Sequence, residues 1–104
     1  MRYALTPGDL EKRHRDRRFE ALQLLLEACP RGRIESPARL ISAADLAKHW
    51  NVHPSSAYRV LERLRKFGTV DRSGSGLYAG YKITQKGVGR LEWYRQLKKP
   101  RSGR

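Results

Sequence analysis

A chain of 104 residues with 23 Lys and Arg against 10 Asp and Glu carries a net charge of +13 and has the length of one domain with a modest core. No apolar run approaches the roughly 20 residues that span a bilayer, and charge fills Asp9 to Arg18 where a signal segment would be apolar. The one cysteine, Cys29, excludes an intramolecular disulfide framework and points to a reducing, cytoplasmic compartment, with the thiol read as a core packer.

The basic excess is one-sided. From Met1 to Glu20 six basic residues meet four acids, whereas from Ala57 to Arg104 thirteen meet three. Surface charge kept for solubility accounts for mixed signs well and for this asymmetry poorly. A positive field concentrated in one half draws polyanions and speeds their encounter.

In chain order, Thr6-Pro7-Gly8-Asp9 reads as a helix start, with Thr6 as N-cap and Pro7 at the first helical position. This helix is expected to run to about Cys29, where Pro30 and Gly32 stop it. Its first half is nearly all charge, with i,i+4 pairs Asp9–Arg13, Glu11–Arg15 and Lys12–Asp16, and is expected to project as a solvated arm or to meet another subunit. Phe19, Leu22, Leu25, Leu26 and Cys29 give its second half an apolar face. A loop follows over Pro30 to Arg39, then a short strand at Leu40-Ile41. Ser42 and Asp45 form a capping arrangement for a helix to Trp50, and Asn51-Val52-His53 is a turn. Pro54 opens the next helix and Gly68 closes it, with Ala57, Val60, Leu61, Leu64 and Phe67 on one face. Thr69–Arg72 and Tyr81–Thr84 have strand composition around a Ser73-Gly74-Ser75-Gly76 tip, with Val70, Tyr81 and Ile83 inward. Thr84 caps a last helix to about Lys99, whose first turn Gly87 and Gly89 weaken.

The segments ISAADLAKHW, NVHPSSAYRVLERLRKFGTV and YKITQKG, in this order, resemble the winged helix-turn-helix family. The last segment is similar to the strand-to-helix junction of small prokaryotic and archaeal regulators of PadR-like and MarR-like layout. The resemblance covers about Leu40 to Leu97. It implies an α+β, mainly α fold: a three-helix core with a β-hairpin wing, plus an extended N-terminal helix and a C-terminal helix. Residues 1–18 are then a charged helical arm, 19–99 the winged domain and 100–104 a basic, disordered tail. His53 departs from the pattern, since Ser, Thr or Asp usually caps the recognition helix.

The resemblance implies a recognition helix in a DNA major groove, with Ser55, Ser56, Tyr58 and Arg59 at its leading outward end. Arg59 is the candidate for guanine, Glu62 for orienting Arg59 or accepting from cytosine, and Ser55 and Ser56 for phosphate. Tyr58 reads either as a contact or as a packing residue, and Arg63 and Lys66 as backbone or solvent residues. In the wing, Arg72, Ser73, Ser75 and Lys82 are placed for backbone or minor groove. Tyr78 either stacks on bases or covers the sheet. Val88, Leu91, Trp93, Tyr94 and Leu97 exceed what one packing face needs, which implies a homodimer. No CxxC, HExxH or phosphate loop occurs, so catalytic residues, metal and cofactors are expected to be absent. The expectation is a nucleoid-associated, sequence-specific double-stranded-DNA regulator, a repressor because no separate activation or ligand domain fits. Its effector is left open. The alternatives are a non-specific architectural or RNA-associated protein and a protein–protein adaptor.

Overall fold

A computed structural model describes the backbone of residues 7–98 and the side chains of residues 15–96. The Thr6 cap, the i,i+4 pairs of the first helix, Leu97 and the 100–104 tail lie outside the described residues. The elements are α1 (Pro7–Glu27), a short 3-10 turn (Pro30–Gly32), β1 (Ile41–Ser42), α2 (Ala43–Trp50), α3 (Pro54–Lys66), β2 (Val70–Ser73), β3 (Gly80–Ile83) and α4 (Gln85–Lys98).

Local chemistry sets most of the boundaries. The Asp45 amide donates to Ser42 Oγ at 3.1 Å and the Ser42 amide to Asp45 Oδ2 at 3.1 Å, closing both sides of a capping box. At the other end Asn51 takes the left-handed conformation (φ 56°, ψ 51°), which asparagine tolerates better than most residues. Val52 N then donates to Ala47 O at 3.0 Å, which turns the chain sharply into α3. His53 replaces the usual cap by different means. Its Nδ1 accepts from the Ser55 amide at 3.1 Å, so an imidazole lone pair does what a hydroxyl or carboxylate oxygen does elsewhere. Thr84 caps α4 by accepting from the Gly87 amide at 3.1 Å.

The antiparallel sheet runs β1-β3-β2, with Tyr81 opposite both Ile41 and Arg72, and Val70 opposite Ile83. Val70, Tyr81 and Ile83 face inward onto Leu22 and Leu25 of α1, Leu46 of α2, Leu61 and Leu64 of α3 and Leu91 of α4. Cys29 belongs to this core; burial first and Glu35 second push its thiol up from the ordinary range, which keeps it in the inert neutral form. Among the described residues, no helix is long and apolar enough to cross a membrane.

Three expectations change. Helix α1 runs unbroken through position 18, and residues 15–19 are half-buried rather than fully solvated, with the Arg17 guanidinium 5.1 Å over the Trp50 ring. Phe67 does not join the core: as the residue that ends α3 it sits 48% exposed. The apolar stripe of α4 is not surplus. Leu91 is fully buried, and Tyr94 meets Phe19 of α1 edge-to-face at 6.3 Å, so both pack in the chain's own core. Val88 is half-buried against that core and Trp93 stays exposed.

Candidate nucleic-acid interface

Helix α3 buries Ala57, Leu61 and Leu64, and the 3.6-residue period therefore turns Ser55, Arg59, Arg63 and Lys66 outward, where all four are exposed. Ser56 and Tyr58 flank them and are half-buried. Proline at the first helical position and the His53 cap leave this N-terminal end facing outward with its Ser55 side chain beside the imidazole, 2.9 Å from Nδ1. Ser55, Arg59, Arg63 and Lys66 thus lie exposed along one helix with Ser56 and Tyr58 beside them, whereas Glu62 is half-buried.

Glu62 is placed differently from the expectation. Its carboxylate does not orient Arg59; it accepts from Arg65 (Nη2 at 2.7 Å, Nε at 3.0 and 3.1 Å), from Arg72 Nη1 at 3.0 Å and from the Tyr81 hydroxyl at 2.6 Å. The side chain is only 16% exposed, so these bonds act with little solvent screening. Arg65, then Tyr81 and the charge of Arg72, hold the Glu62 carboxyl down to about 2 against the penalty of burial. The same contact pushes the Arg65 guanidinium up. Burial, then Glu62, pushes the Tyr81 phenol above its ordinary range. One acid on α3 is thereby fixed to both strands of the hairpin.

In the wing, Arg72 is consequently held by Glu62 and is 25% exposed, while Ser73 and Ser75 are exposed at the tip and Lys82 is half-buried. Gly74 and Gly76 take left-handed conformations (φ 90° and 81°) that make the tight tip accessible to the chain. Tyr78 is 84% exposed, so it does not cover the sheet and stands free at the tip. Sequence reasoning missed Arg65 and Tyr81. The available signal was Tyr81 itself, an inward strand tyrosine whose hydroxyl needs a partner once buried. Among the described residues, no group of three or more His, Cys, Asp or Glu could hold a metal ion.

Continuous with the outward face of α3, an open cleft of about 1330 Å³ lies between α1, α3 and α4. Arg15, Arg59, Arg63, Lys66 and Arg90 line it, and Glu62 is the one acid lining it among the described residues.

No family model matches the chain, and no curated protein matches it in sequence. Solved structures do. The transcriptional regulator BldR from Sulfolobus solfataricus superposes with a TM-score of 0.59 at 20% identity, covering 77% of this chain and 52% of that one. MepR, a transcription regulator of the Staphylococcus aureus multidrug efflux pump MepA, gives 0.59 at 13% identity over 78% and 55%. A MarR family protein from Bacillus stearothermophilus gives 0.57 at 20% identity over 91% and 54%. The chain thus spans about half the length of these structures. At such identities the likeness establishes the fold, and this chain folds as a winged helix-turn-helix of the MarR-like kind.

Proposed function

We propose that the chain is a sequence-specific, double-stranded-DNA-binding transcriptional regulator associated with the nucleoid, with α3 in the major groove and the wing on the backbone or minor groove. The observation that carries this reading is the composition of α3's outward face. Arg59, Arg63 and Lys66 are exposed there, while the nearest acid, Glu62, is turned aside into internal bonds. A groove-sized helix with unopposed cations fits the phosphate-lined major groove, and the roles of BldR and MepR in transcription support it. Arg59, exposed near the leading end, is the base-reading residue; Ser55, Ser56, Arg63 and Lys66 hold phosphates. Repression by occupancy of the site asks for nothing more than this surface.

A random-duplex selection at near-physiological salt, with an RNA competitor present, tests the reading. An enriched motif is expected, and Arg59→Ala is expected to relax preference at one position by roughly 1–3 kcal/mol. Equal weakening on all sequences would refute base readout by Arg59. The second reading, non-specific binding, draws on the thirteen basic residues after Ala57 and anticipates steep salt dependence without enrichment. The same selection reads assembly. A homodimer sets two α3 helices about 34–36 Å apart and returns a palindrome, whereas a monomer returns a single half-site. Sedimentation at tens of micromolar checks which form exists.

A further inference from the structure

We infer that the cleft between α1, α3 and α4, which overlaps the outward face of α3, also takes an unpaired nucleic-acid strand, with Trp93 and Arg90 stacking on its bases. Three observations converge there. The lining is cationic, with Arg15, Arg59, Arg63, Lys66 and Arg90 set against Glu62 alone among the described residues, and Glu62 is already neutralised by Arg65 and Arg72. A cationic lining of this kind asks for an anionic occupant. Next, the cleft exposes flat aromatic surface, with Trp93 and Phe67 each 48% exposed. Trp93 is moreover backed by Tyr94 at 5.1 Å between ring centroids, which holds the indole in place. Finally, the Arg90 guanidinium lies 5.1 Å over the Trp93 ring and is itself exposed. A planar cation on an indole is a half-built stack. A base either adds to the outer plane of the guanidinium or displaces it, which releases Arg90 for phosphate.

Charge alone would also suit an acidic peptide, whose carboxylates offer no aromatic surface to stack on Trp93 and Phe67. A paired duplex keeps its bases inside the stack, so it meets the cations of this cleft without using the aromatics. An unpaired strand offers both phosphate and bases. Because Arg59 and Arg63 also belong to the outward face of α3, the two surfaces are continuous.

The test uses the full chain, fluorescence anisotropy and three probes: a twelve-residue oligothymidylate, the same backbone with abasic sugars, and poly-glutamate. Oligothymidylate is expected to bind roughly tenfold tighter than the abasic strand, with quenching of tryptophan fluorescence. Trp93→Ala is expected to abolish that preference while leaving the weaker backbone binding in place. Arg90→Ala is expected to reduce it partly. Circular dichroism confirms that each variant stays folded, which the exposure of both residues allows. Equal binding of the two strands would overturn the inference, as would a preference that survives Trp93→Ala. Poly-glutamate binding with the same dependence on Trp93 would reassign the cleft to an acidic protein, and a Trp93-dependent dimer to a second copy; either overturns it. None of these outcomes bears on whether a duplex motif is enriched.

Discussion

Gly87→Ala is expected to destabilise the protein by about 3 kcal/mol, whereas Gly89→Ala, two residues on in the same helix, is expected to stabilise it by roughly 0.5–1 kcal/mol. Both glycines look alike in the sequence, as weak points in the first turn of α4. Their surroundings separate them. A Cβ on Gly87 would drive into the Thr69 carbonyl oxygen and stand 2.6 Å from Ile83 Cγ1. Thr69 has no freedom to retreat: its amide and hydroxyl donate to Leu64 O at 3.1 and 2.8 Å, and its carbonyl accepts from Thr84 N at 3.0 Å. Ile83 is itself buried in the core. A Cβ on Gly89 meets nothing within 4 Å, so alanine there only restricts the unfolded chain. Urea and thermal denaturation of the two variants read the result, with melting temperatures moving in opposite directions. Equal small shifts would show that α4 does not dock against the Thr69 carbonyl as closely as described.

Glu62→Gln is expected to cost about 2–3 kcal/mol at neutral pH, because it strips the shared counter-charge from Arg65 and Arg72 while keeping the side chain's size. The pH dependence identifies the carboxylate as the source. The folded protein holds this group at about 2, against 4.5 for the ordinary value, so the unfolded chain takes up the proton first as pH falls. Its contribution is therefore complete above about pH 4.5 and is lost as pH drops toward 2. The gap between wild type and Glu62→Gln, measured by urea denaturation, is expected to shrink steadily over that window. A gap as large near pH 2 as at pH 7 would rule out the charge as its origin. On the alkaline side the sign reverses in cause: folding holds the Tyr81 proton above its ordinary range, so stability falls as pH rises past 10.0 and the unfolded chain ionises first.

These two sites also mark where the sequence was and was not readable. Caps are local, and the Ser42–Asp45 box and the Thr84 cap involve residues three apart, which is why element starts were legible. The outward face of α3 was legible for the same reason, since helical period alone separates Ala57, Leu61 and Leu64 from Arg59 and Lys66. Glu62 was misread because its partners Arg72 and Tyr81 lie ten and nineteen residues away and meet it only after β2 pairs with β3. The stripe on α4 was over-read: Leu91 and Tyr94 looked surplus until α1 was seen to lie across them, with Phe19 against Tyr94. Gly87 carries no local signal that distinguishes it from Gly89, because the obstructing carbonyl comes from Thr69.

The carboxylate shared by Arg65 and Arg72 has one more consequence, for how binding responds to electrolyte. A free surface arginine that docks on a phosphate sheds nothing of its own, and the nucleic acid releases a condensed cation in exchange. Arg72 and Arg65 share the single charge of Glu62, so the three groups together would bring one net positive charge to a phosphate rather than two. The count of cations released on binding should thus be smaller than the count of arginines near the backbone. On the proposed duplex-binding reading, exposed Arg59, Arg63 and Lys66 are expected to set the slope of affinity against salt, with Arg72 mainly fixing the angle of the hairpin.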